Sequence, residues 1–363
     1  MDKGGHVNTS QSTPWRVQVQ KPRLPPLVTV EPYLKSVYSS GQFTNFGPLE
    51  RNLRSRFGEI FNVGADQVAL CANATLALAG ATAIAEPKSW IVPSFTFAAT
   101  PHSIQLGGGT IEFVDVIEGK WAIAPSARHE HGFVPVAPFG SRPDIAGWNE
   151  QTTVVHDAAA SLGVETDLSS LPEHHAVVYS LHATKVLGSG EGAVVIFGNS
   201  NSAQNFRAWT NFGFSGSREA RMPAANAKMS EIQAAYVHAA LDGWKEEKAE
   251  WLNARHLAQE IELTHGLKPL LEGSNLISPY WIVEFPDSLA CANFENLMNS
   301  SGIATRRWWG KGCHRMDAFL GVKQGALPVT DSIGTRYIGL PMARSFGDEQ
   351  FDQVADALSK RDF

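Results

Sequence analysis

Cysteine is scarce in this sequence: its 363 residues include three, Cys71, Cys291 and Cys313. An odd number at such wide spacing supports neither a disulfide framework nor a Cys-x-x-Cys metal site. Free thiols persist in a reducing compartment, so a cytoplasmic location is expected.

Long apolar runs are missing too. The N-terminal residues contain no apolar core of the kind found in secretory signal peptides, and none is predicted. The uncharged stretch 68–85 approaches the length of a membrane span, but it is rich in alanine and interrupted by polar residues such as Asn73 and Thr75. We therefore predict a buried core helix here and no association with a membrane.

Charge of either sign is modest. The chain has 30 Lys and Arg against 36 Asp and Glu, with a net charge of −6 and a pI near 6.1. This balance argues against a dedicated nucleic-acid surface, although a local basic pocket for an anion remains compatible with it. The 43% hydrophobic content is typical of a soluble globular protein.

Familiar metal and dinucleotide motifs are also absent. The histidines of 129–131 and the pair His174 and His175 have no third ligand at a suitable spacing, so solvated side chains are predicted there. The glycines of 188–192 lack the third-glycine spacing and the following helix of a dinucleotide-binding loop. No metal site is predicted.

Composition divides the chain into three parts. Residues 1–27 are polar and then proline-rich, which is typical of an arm outside the core. Residues 28–243 alternate strands with helices, which indicates a large α/β domain with a largely parallel sheet. Residues 244–363 begin with a long charged helix and are predicted to form a small α+β domain.

The spacing of apolar residues places the individual elements. Strands are predicted at 67–71, 89–92, 110–115, 132–137, 152–157, 176–179, 193–197 and 280–285, and helices at 30–38, 48–61, 96–106, 229–241, 244–263 and 348–360. Ligands of such sheets bind beyond the carboxyl ends of the strands. Two predicted strands end in aspartate, Asp115 and Asp157, and position alone does not choose between them.

One lysine lies between an apolar run and a glycine cluster. Lys185 follows the predicted strand 176–179 and precedes Gly188, Gly190 and Gly192, so it is expected in the loop between two strands. Apolar flanks with few charges are surroundings that can activate an amine as a nucleophile. Taken alone, this stretch favours an ordinary surface lysine, because most lysines are exposed.

An anion site is predicted where the alanine-rich helix opens, at 73–75. The free amides of a first helical turn accept anions, although simple capping by Asn73 or Thr75 is the commoner use. A reactive lysine, a strand-ending aspartate such as Asp157 and an anion site are together the parts that a pyridoxal 5′-phosphate (PLP) enzyme needs. The lysine would form a Schiff base, the carboxylate would face the pyridine nitrogen, and the helix entry would hold the phosphate.

Longer motifs resemble one family. Ser180-Leu-His-Ala-Thr-Lys185, followed by Gly190-Glu-Gly192, resembles the lysine signature of the DegT/DnrJ/EryC1/StrS family of PLP-dependent nucleotide-sugar aminotransferases. The family's other motifs recur in its order, and they are similar to 41–48, 73–75, 93–100, 156–159 and 226–235. The resemblance implies PLP-dependent transferase fold type I, like aspartate aminotransferase, with a large α/β domain and a small C-terminal α+β domain.

The resemblance also implies residue roles. Lys185 would be the Schiff-base lysine and the acid/base that moves the substrate proton, and Asp157, rather than Asp115, would pair with the pyridine nitrogen. The further cofactor-binding residues that it implies are Phe97 on the ring face, Ala74, Thr75 and Ser180 at the phosphate, and Asn226, which would reach the phosphate from the partner chain of a homodimer with shared active sites.

Three positions depart from the family pattern. Ala74 stands in place of a glycine, which is tolerable if its φ is negative. Ala160 replaces a glutamine that bonds the ring hydroxyl of the cofactor, so that contact must be missing or replaced. Lys228 replaces the usual arginine after Asn226.

The implied reaction moves an amino group from an amino acid, L-glutamate, to a keto-deoxy sugar nucleotide. The motif wording is most similar to the branch that aminates dTDP-4-keto-6-deoxy-D-glucose. Arg306 and Arg307 are candidates for gripping the diphosphate, although a solvated pair is an equal alternative. The alternatives are a 3-keto sugar aminotransferase of the same family and a non-catalytic sensor or scaffold on the same fold. A dehydratase is disfavoured because that branch carries histidine in place of Lys185.

Overall fold

A computed structural model describes residues 15–125, 130–273 and 275–360. Helices in chain order are α1 Leu27–Ser40, α2 Pro48–Phe61, α3 Ala74–Ile84, α4 Ala99–Leu106, α5 Ser200–Trp209, α6 Glu231–Asp242, α7 Trp244–His265, α8 Ser288–Ser300, α9 Pro328–Ile333 and α10 Asp348–Leu358. Strands are β1 Val68–Cys71, β2 Ser89–Pro93, β3 Thr110–Val114, β4 Gly132–Phe133, β5 Val154–Asp157, β6 His175–Ser180, β7 Ala193–Phe197, β8 Lys268–Pro269, β9 Trp281–Glu284, β10 Lys323–Gln324 and β11 Tyr337–Leu340.

An eight-stranded sheet forms the centre of the larger part, in the order β1-β7-β6-β5-β4-β2-β3-β10. Only β7 runs against its neighbours, β1 and β6, and the other pairs are parallel. The central strands β5, β6 and β7 are buried along their whole length, as expected for a sheet covered on both faces. The predicted, largely parallel α/β sheet is confirmed.

The C-terminal part builds a second, antiparallel sheet in the order β11-β9-β8. Its core packs Trp251 of α7, Trp281 of β9 and Phe351 of α10 together. However, β10 pairs with β3 in the large sheet, so the C-terminal part also contributes to the first one. The sequence does not reveal this pairing, because β10 is short and both of its residues are exposed.

The expectation that the N-terminal arm lies outside the core is wrong for Val17 and Val19. Their exposed fractions are 1% and 7%. Val17 bridges Ile303 in parallel, and the amide of Met342 donates to the carbonyl of Val19 at 2.9 Å. These contacts are with residues far away in sequence, and composition carries no signal of them. Residues 1–14 of the predicted arm lie outside the described residues.

Two predicted elements are shorter in the structure. Strand β4 covers only part of the predicted 132–137, because Pro135 has no amide to donate to a neighbouring strand. Helix α4 begins at Ala99 rather than at 96, and the buried Thr96 instead bonds Thr100, Oγ1 to Oγ1, at 2.9 Å. The residues that precede α4 therefore form a turn, which carries Phe97.

His156 on β5 and His175 on β6 form a buried pair. His156 Nε2 lies 3.4 Å from His175 Nδ1, and His175 Nε2 lies 3.4 Å from the carbonyl oxygen of Asn149. Both bonds are satisfied when the rings are neutral and each Nε2–H donates. Burial lowers the pKa of His156 well below its usual range and lowers that of His175 to about 4.

Acidification is therefore expected to destabilise the fold. The unfolded chain protonates these histidines below about pH 6.5, whereas the folded pair resists protonation, so the unfolded state binds more protons in between. The stabilisation is complete above that pH and is lost as the pH falls toward about 4. Tm should fall more steeply in the wild type than in His175→Gln, while His174→Gln, which changes an exposed neighbour, should behave like the wild type. An unchanged slope in His175→Gln contradicts this explanation.

No helix among the described residues combines the length and apolar character needed to cross a membrane.

Candidate active site

A cavity of about 710 Å³ opens beyond the carboxyl ends of β5 and β6. The entry of α3, the turn before α4, the β6–β7 loop and the C-terminal part all contribute to its walls. Six of the predicted site residues line it: Ala74, Thr75, Phe97, Asp157, Ser180 and Lys185. Residues that are far apart in sequence thus meet at the place where a parallel sheet binds its ligands.

Lys185 stands in the loop between β6 and β7, as predicted. The loop is closed by two backbone bonds, from Ala183 N to the Gly190 carbonyl at 2.8 Å and from Lys185 N to the His182 carbonyl at 2.8 Å. Gly188 is required here, because a Cβ at this position would lie 2.4 Å from the Ala183 carbonyl oxygen. The rigid loop directs Lys185 Nζ into the cavity.

The partner of Lys185 is a phenol rather than a carboxylate. Nζ donates to Tyr280 Oη at 2.7 Å. Within the described ranges, no carboxylate oxygen lies at ion-pair distance from Nζ. The amine is therefore held without being locked into an ion pair.

Asp157 ends β5 with its carboxylate at the cavity wall. Its exposed fraction is 7%, Oδ2 accepts from Thr100 Oγ1 at 2.7 Å, and Oδ1 accepts from the amide of Ala159 at 3.1 Å. Burial raises the pKa of this carboxyl, against the two hydrogen bonds and the nearby charge of Lys185. Each oxygen keeps a lone pair, so the group can accept one more N–H bond from a ligand.

The structure separates the two strand-ending aspartates. Asp115 does not line the cavity, because its oxygens accept from the amides of Val329 and Thr330 at 2.8 Å and from Thr330 Oγ1 at 2.7 Å. It serves the first turn of α9. Only Asp157 is available to a ligand.

The entry of α3 offers free donors. Asn73 Oδ1 accepts from the amide of Leu76 at 2.9 Å, so Asn73 is the cap. The amides of Ala74 and Thr75 have no acceptor in the part of the chain that the structure describes. Ser180 Oγ accepts from the amide of His182 at 3.2 Å and keeps its own proton for a further acceptor. These donors surround a place for a phosphate.

The model of the DegT/DnrJ/EryC1/StrS aminotransferase family matches residues 29–359 of the chain. The chain belongs to this family. It is an aminotransferase, and its cofactor is PLP.

Members of the family with printed activities are similar along most of the chain. The dTDP-4-amino-4,6-dideoxy-D-glucose transaminase of Shigella dysenteriae is 26% identical over 94% of this chain and 97% of its own length. A dTDP-3-amino-3,4,6-trideoxy-alpha-D-glucose transaminase of Micromonospora megalomicea is 26% identical over 74% of this chain and 77% of its own. The structure of DesI in the presence of its TDP-sugar product is 27% identical, with a TM-score of 0.81 over 94% of this chain and 92% of DesI. The fold is that of fold type I PLP-dependent transferases.

The cavity of this DegT/DnrJ/EryC1/StrS aminotransferase fits the cofactor. Free amides at α3 suit its phosphate, the Asp157 carboxylate suits its pyridine nitrogen, and the Lys185 amine suits its aldehyde. Phe97 supplies an apolar face, and its exposed fraction of 57% shows that the ring is uncovered by other side chains. The residues present thus provide a partner for each end of PLP.

The family departures have structural outcomes. Ala74 is helical and keeps a negative φ, so the methyl group is accommodated. Ala160 lines the cavity and brings no polar side-chain atom, so the glutamine contact of the family is missing at that position. Lys228 Nζ donates to Asn226 Oδ1 at 2.7 Å and lies 4.7 Å from the centre of the Phe212 ring.

Asn226 does not line the cavity of its own chain. This position is compatible with the role that the DegT/DnrJ/EryC1/StrS resemblance implies, in which it reaches the site of a second copy. That role stays a prediction.

The turn that carries Phe97 is held from the C-terminal part. The amide of Cys313 donates to the Ser94 carbonyl at 2.7 Å, and Ser94 Oγ bonds His314 Nδ1 at 2.6 Å. His314 Nε2 in turn bonds Asp331 at 3.0 Å. Ser94 has an exposed fraction of 0%, so this Ser-His-Asp group is a brace rather than a nucleophile site.

Sequence reasoning missed Thr100 and Tyr280, the partners of Asp157 and Lys185. Thr100 ends the motif 93–100 and carries a weak signal, because it lies one helical turn after Thr96 on the same face. Tyr280 opens a strand in the region of weakest resemblance, and nothing in its neighbourhood marks it. His129 of the histidine cluster lies outside the described residues, and among those described no three His, Cys, Asp or Glu residues could hold a metal ion.

Proposed function

We propose that this aminotransferase moves the amino group of L-glutamate to C4 of dTDP-4-keto-6-deoxy-D-glucose, through Lys185. The observation that carries the proposal is the cavity in which Lys185, Asp157 and the α3 entry meet. The choice of a 4-keto sugar rests on the near-complete coverage of the Shigella dysenteriae transaminase, whose name specifies a 4-amino sugar.

Bound PLP supplies the electron sink that allows a proton to leave the carbon bearing the amino group. Asp157 accepts an N–H bond and keeps a proton on the pyridine nitrogen, because a buried carboxylate favours a nearby positive charge. The amides of Ala74 and Thr75 bind and orient the phosphate. Phe97 excludes water from one ring face, and Lys185 Nζ carries the proton between the two carbons that exchange it.

Arg306 supports an anionic substrate. Its guanidinium lies 4.8 Å from the Trp308 ring at the cavity wall, and no carboxylate of the described residues pairs with it. Arg307 is engaged elsewhere, with Glu295 at 2.8 Å and the Thr335 carbonyl at 3.0 Å. Of the two candidates for a diphosphate, Arg306 is the available one.

Arg306→Gln is expected to raise the KM for the nucleotide sugar about 10- to 100-fold, the range of a charged hydrogen bond. Turnover at saturating sugar and the glutamate half-reaction should change little, since neither needs the diphosphate contact. Arg315→Gln is the matched control, because Arg315 is exposed and pairs with Asp331 away from the cavity. A rise in the KM for glutamate alone would instead place a carboxylate at Arg306.

The 3-keto alternative has its own support in the Micromonospora megalomicea transaminase, whose name specifies a 3-amino sugar. A small panel of 3-keto and 4-keto sugar nucleotides separates the two, with product analysis by NMR. Amination of the 4-keto substrate alone is the expected result. Amination of the 3-keto substrate alone overturns the choice.

We also propose that the enzyme is a homodimer with shared active sites. Leu27, Val28 and Tyr38 of α1 and Phe43 of the following loop are large apolar side chains with high exposure, and such a patch is typical of an interface. Asn226 would then serve the partner's cavity. Light scattering should give twice the chain mass, and a monomer that is fully active contradicts the proposal.

A further inference from the structure

Tyr280 is the residue of the cavity that no motif explains. It directly precedes β9 and reaches the cavity from the C-terminal part of the chain. Its hydroxyl is the hydrogen-bond partner of Lys185 Nζ, at 2.7 Å. The same Nζ lies 5.1 Å from the centre of the Tyr280 ring, so the amine approaches the oxygen along the ring edge.

The position of Tyr280 is fixed on two sides. Its amide donates to Ser278 Oγ at 3.0 Å, and Ser278 Oγ donates to the carbonyl of Phe139 at 2.6 Å. Its ring stands edge-on to Trp308, with centroids 5.0 Å apart, and edge-on to Phe139, with centroids 5.5 Å apart. A ring packed in this way loses little further entropy when it holds another group.

A phenol suits an amine that changes its charge. Lysine donates only as an ammonium, whereas a neutral amine accepts, and a tyrosine hydroxyl can take either role. A carboxylate would bind the ammonium strongly and resist its deprotonation. Tyr280 holds the nitrogen in both states without favouring one so strongly.

We propose that Tyr280 is a further catalytic residue, whose hydroxyl holds Lys185 Nζ in the cavity and stays bonded to it while the amine takes up and releases a proton. As an ammonium, Lys185 donates to Oη; as a neutral amine, it accepts the Oη proton bond. No proton leaves the pair through Tyr280, so the count of protons in each half-reaction is unchanged. The proposal rests on the proposed role of Lys185.

Tyr280→Phe tests it, because the ring and both edge-on contacts remain and only the hydroxyl is lost. We expect the single-turnover rate with L-glutamate to fall about 10- to 100-fold, the worth of one hydrogen bond to a charged group. The KM for the nucleotide sugar should stay the same. Tyr337→Phe is the matched control, since that hydroxyl accepts from the amide of Trp309 at 2.8 Å in the same aromatic cluster and does not touch Lys185.

A second readout does not need the loaded enzyme. In the protein free of PLP, the rate at which a small amine-selective reagent labels Lys185 is followed by peptide mass spectrometry across a pH series. Without the hydroxyl the ammonium loses an acceptor, so labelling in Tyr280→Phe should begin at lower pH than in the wild type. Tyr337→Phe should follow the wild-type profile.

The outcomes are distinguishable. Wild-type turnover and labelling profile in Tyr280→Phe overturn the proposal for Tyr280. A raised KM for the sugar with an unchanged single-turnover rate also overturns it, because Tyr280 would then bind substrate rather than serve the lysine. If Lys185→Ala retains full activity, the proposed function itself fails, whatever Tyr280→Phe shows.

Discussion

Lys185→Ala is expected to abolish transamination. The variant lacks both the amine that attaches PLP and the group that moves the proton, and general acid-base catalysis alone contributes up to about 10⁴-fold. The fall in turnover should therefore reach at least that size. The measurement is steady-state turnover with L-glutamate and the 4-keto sugar nucleotide.

Two controls make this result specific. Lys248→Ala removes an exposed lysine that pairs with Glu165, and it should keep wild-type activity. Added methylamine should restore part of the Lys185→Ala rate, because a free amine can enter the space that the side chain vacates. Full activity in Lys185→Ala would contradict the mechanism, whereas an inactive variant that does not bind PLP would still leave the Asp157 test below.

Asp157→Asn is expected to slow the proton-transfer step by about 10²- to 10³-fold, the range seen when one preorganised electrostatic partner is removed. The amide has nearly the same shape but carries no charge, so a proton on the pyridine nitrogen loses its stabilisation. Thr100 and Ala159 donate to different oxygens of Asp157, and asparagine offers only one oxygen. The measurement is the single-turnover rate with L-glutamate.

Asp115→Asn is the matched control, because it makes the same chemical change at the end of a neighbouring strand. Its oxygens accept from three donors at Val329 and Thr330, so this variant should lose about 1–3 kcal/mol of stability, as for a buried donor left without a partner. Its single-turnover rate should match the wild type. An unaffected rate in Asp157→Asn counts against the role of that carboxylate.

The sequence predicts the part of the site that follows from local rules. A lysine after a buried strand and before glycines must lie in a loop at the sheet edge, and the parallel sheet brings Asp157 to the same edge. Asn73 caps α3 as its side chain suggests. These features depend on neighbours within a few positions, and their signals are present in the chain.

The rest depends on contacts between distant segments. Asp115 and Asp157 look alike in sequence, and only the docking of α9 against Asp115 shows which one is already satisfied. Arg306 and Arg307 are neighbours, yet Glu295 engages one and leaves the other at the cavity. Such choices are made by tertiary packing, which periodicity and composition do not encode.

The N-terminal arm illustrates the same limit. Polar and proline-rich composition indicates an extended segment, and Val17 and Val19 are extended. Whether such a segment is solvated or docked depends on the surface it meets, here that of Ile303 and Met342. The prediction of an arm outside the core failed for this reason.

Borohydride reduction of the PLP-loaded protein, followed by peptide mass spectrometry, tests the central claim most directly. Reduction makes the bond between the cofactor and its lysine permanent. We predict a single modified residue, Lys185, and loss of that modification when L-glutamate is added before the reducing agent, because amino transfer then releases the lysine. Modification of a different lysine, or a Lys185 adduct that persists with every amino donor, would contradict the account.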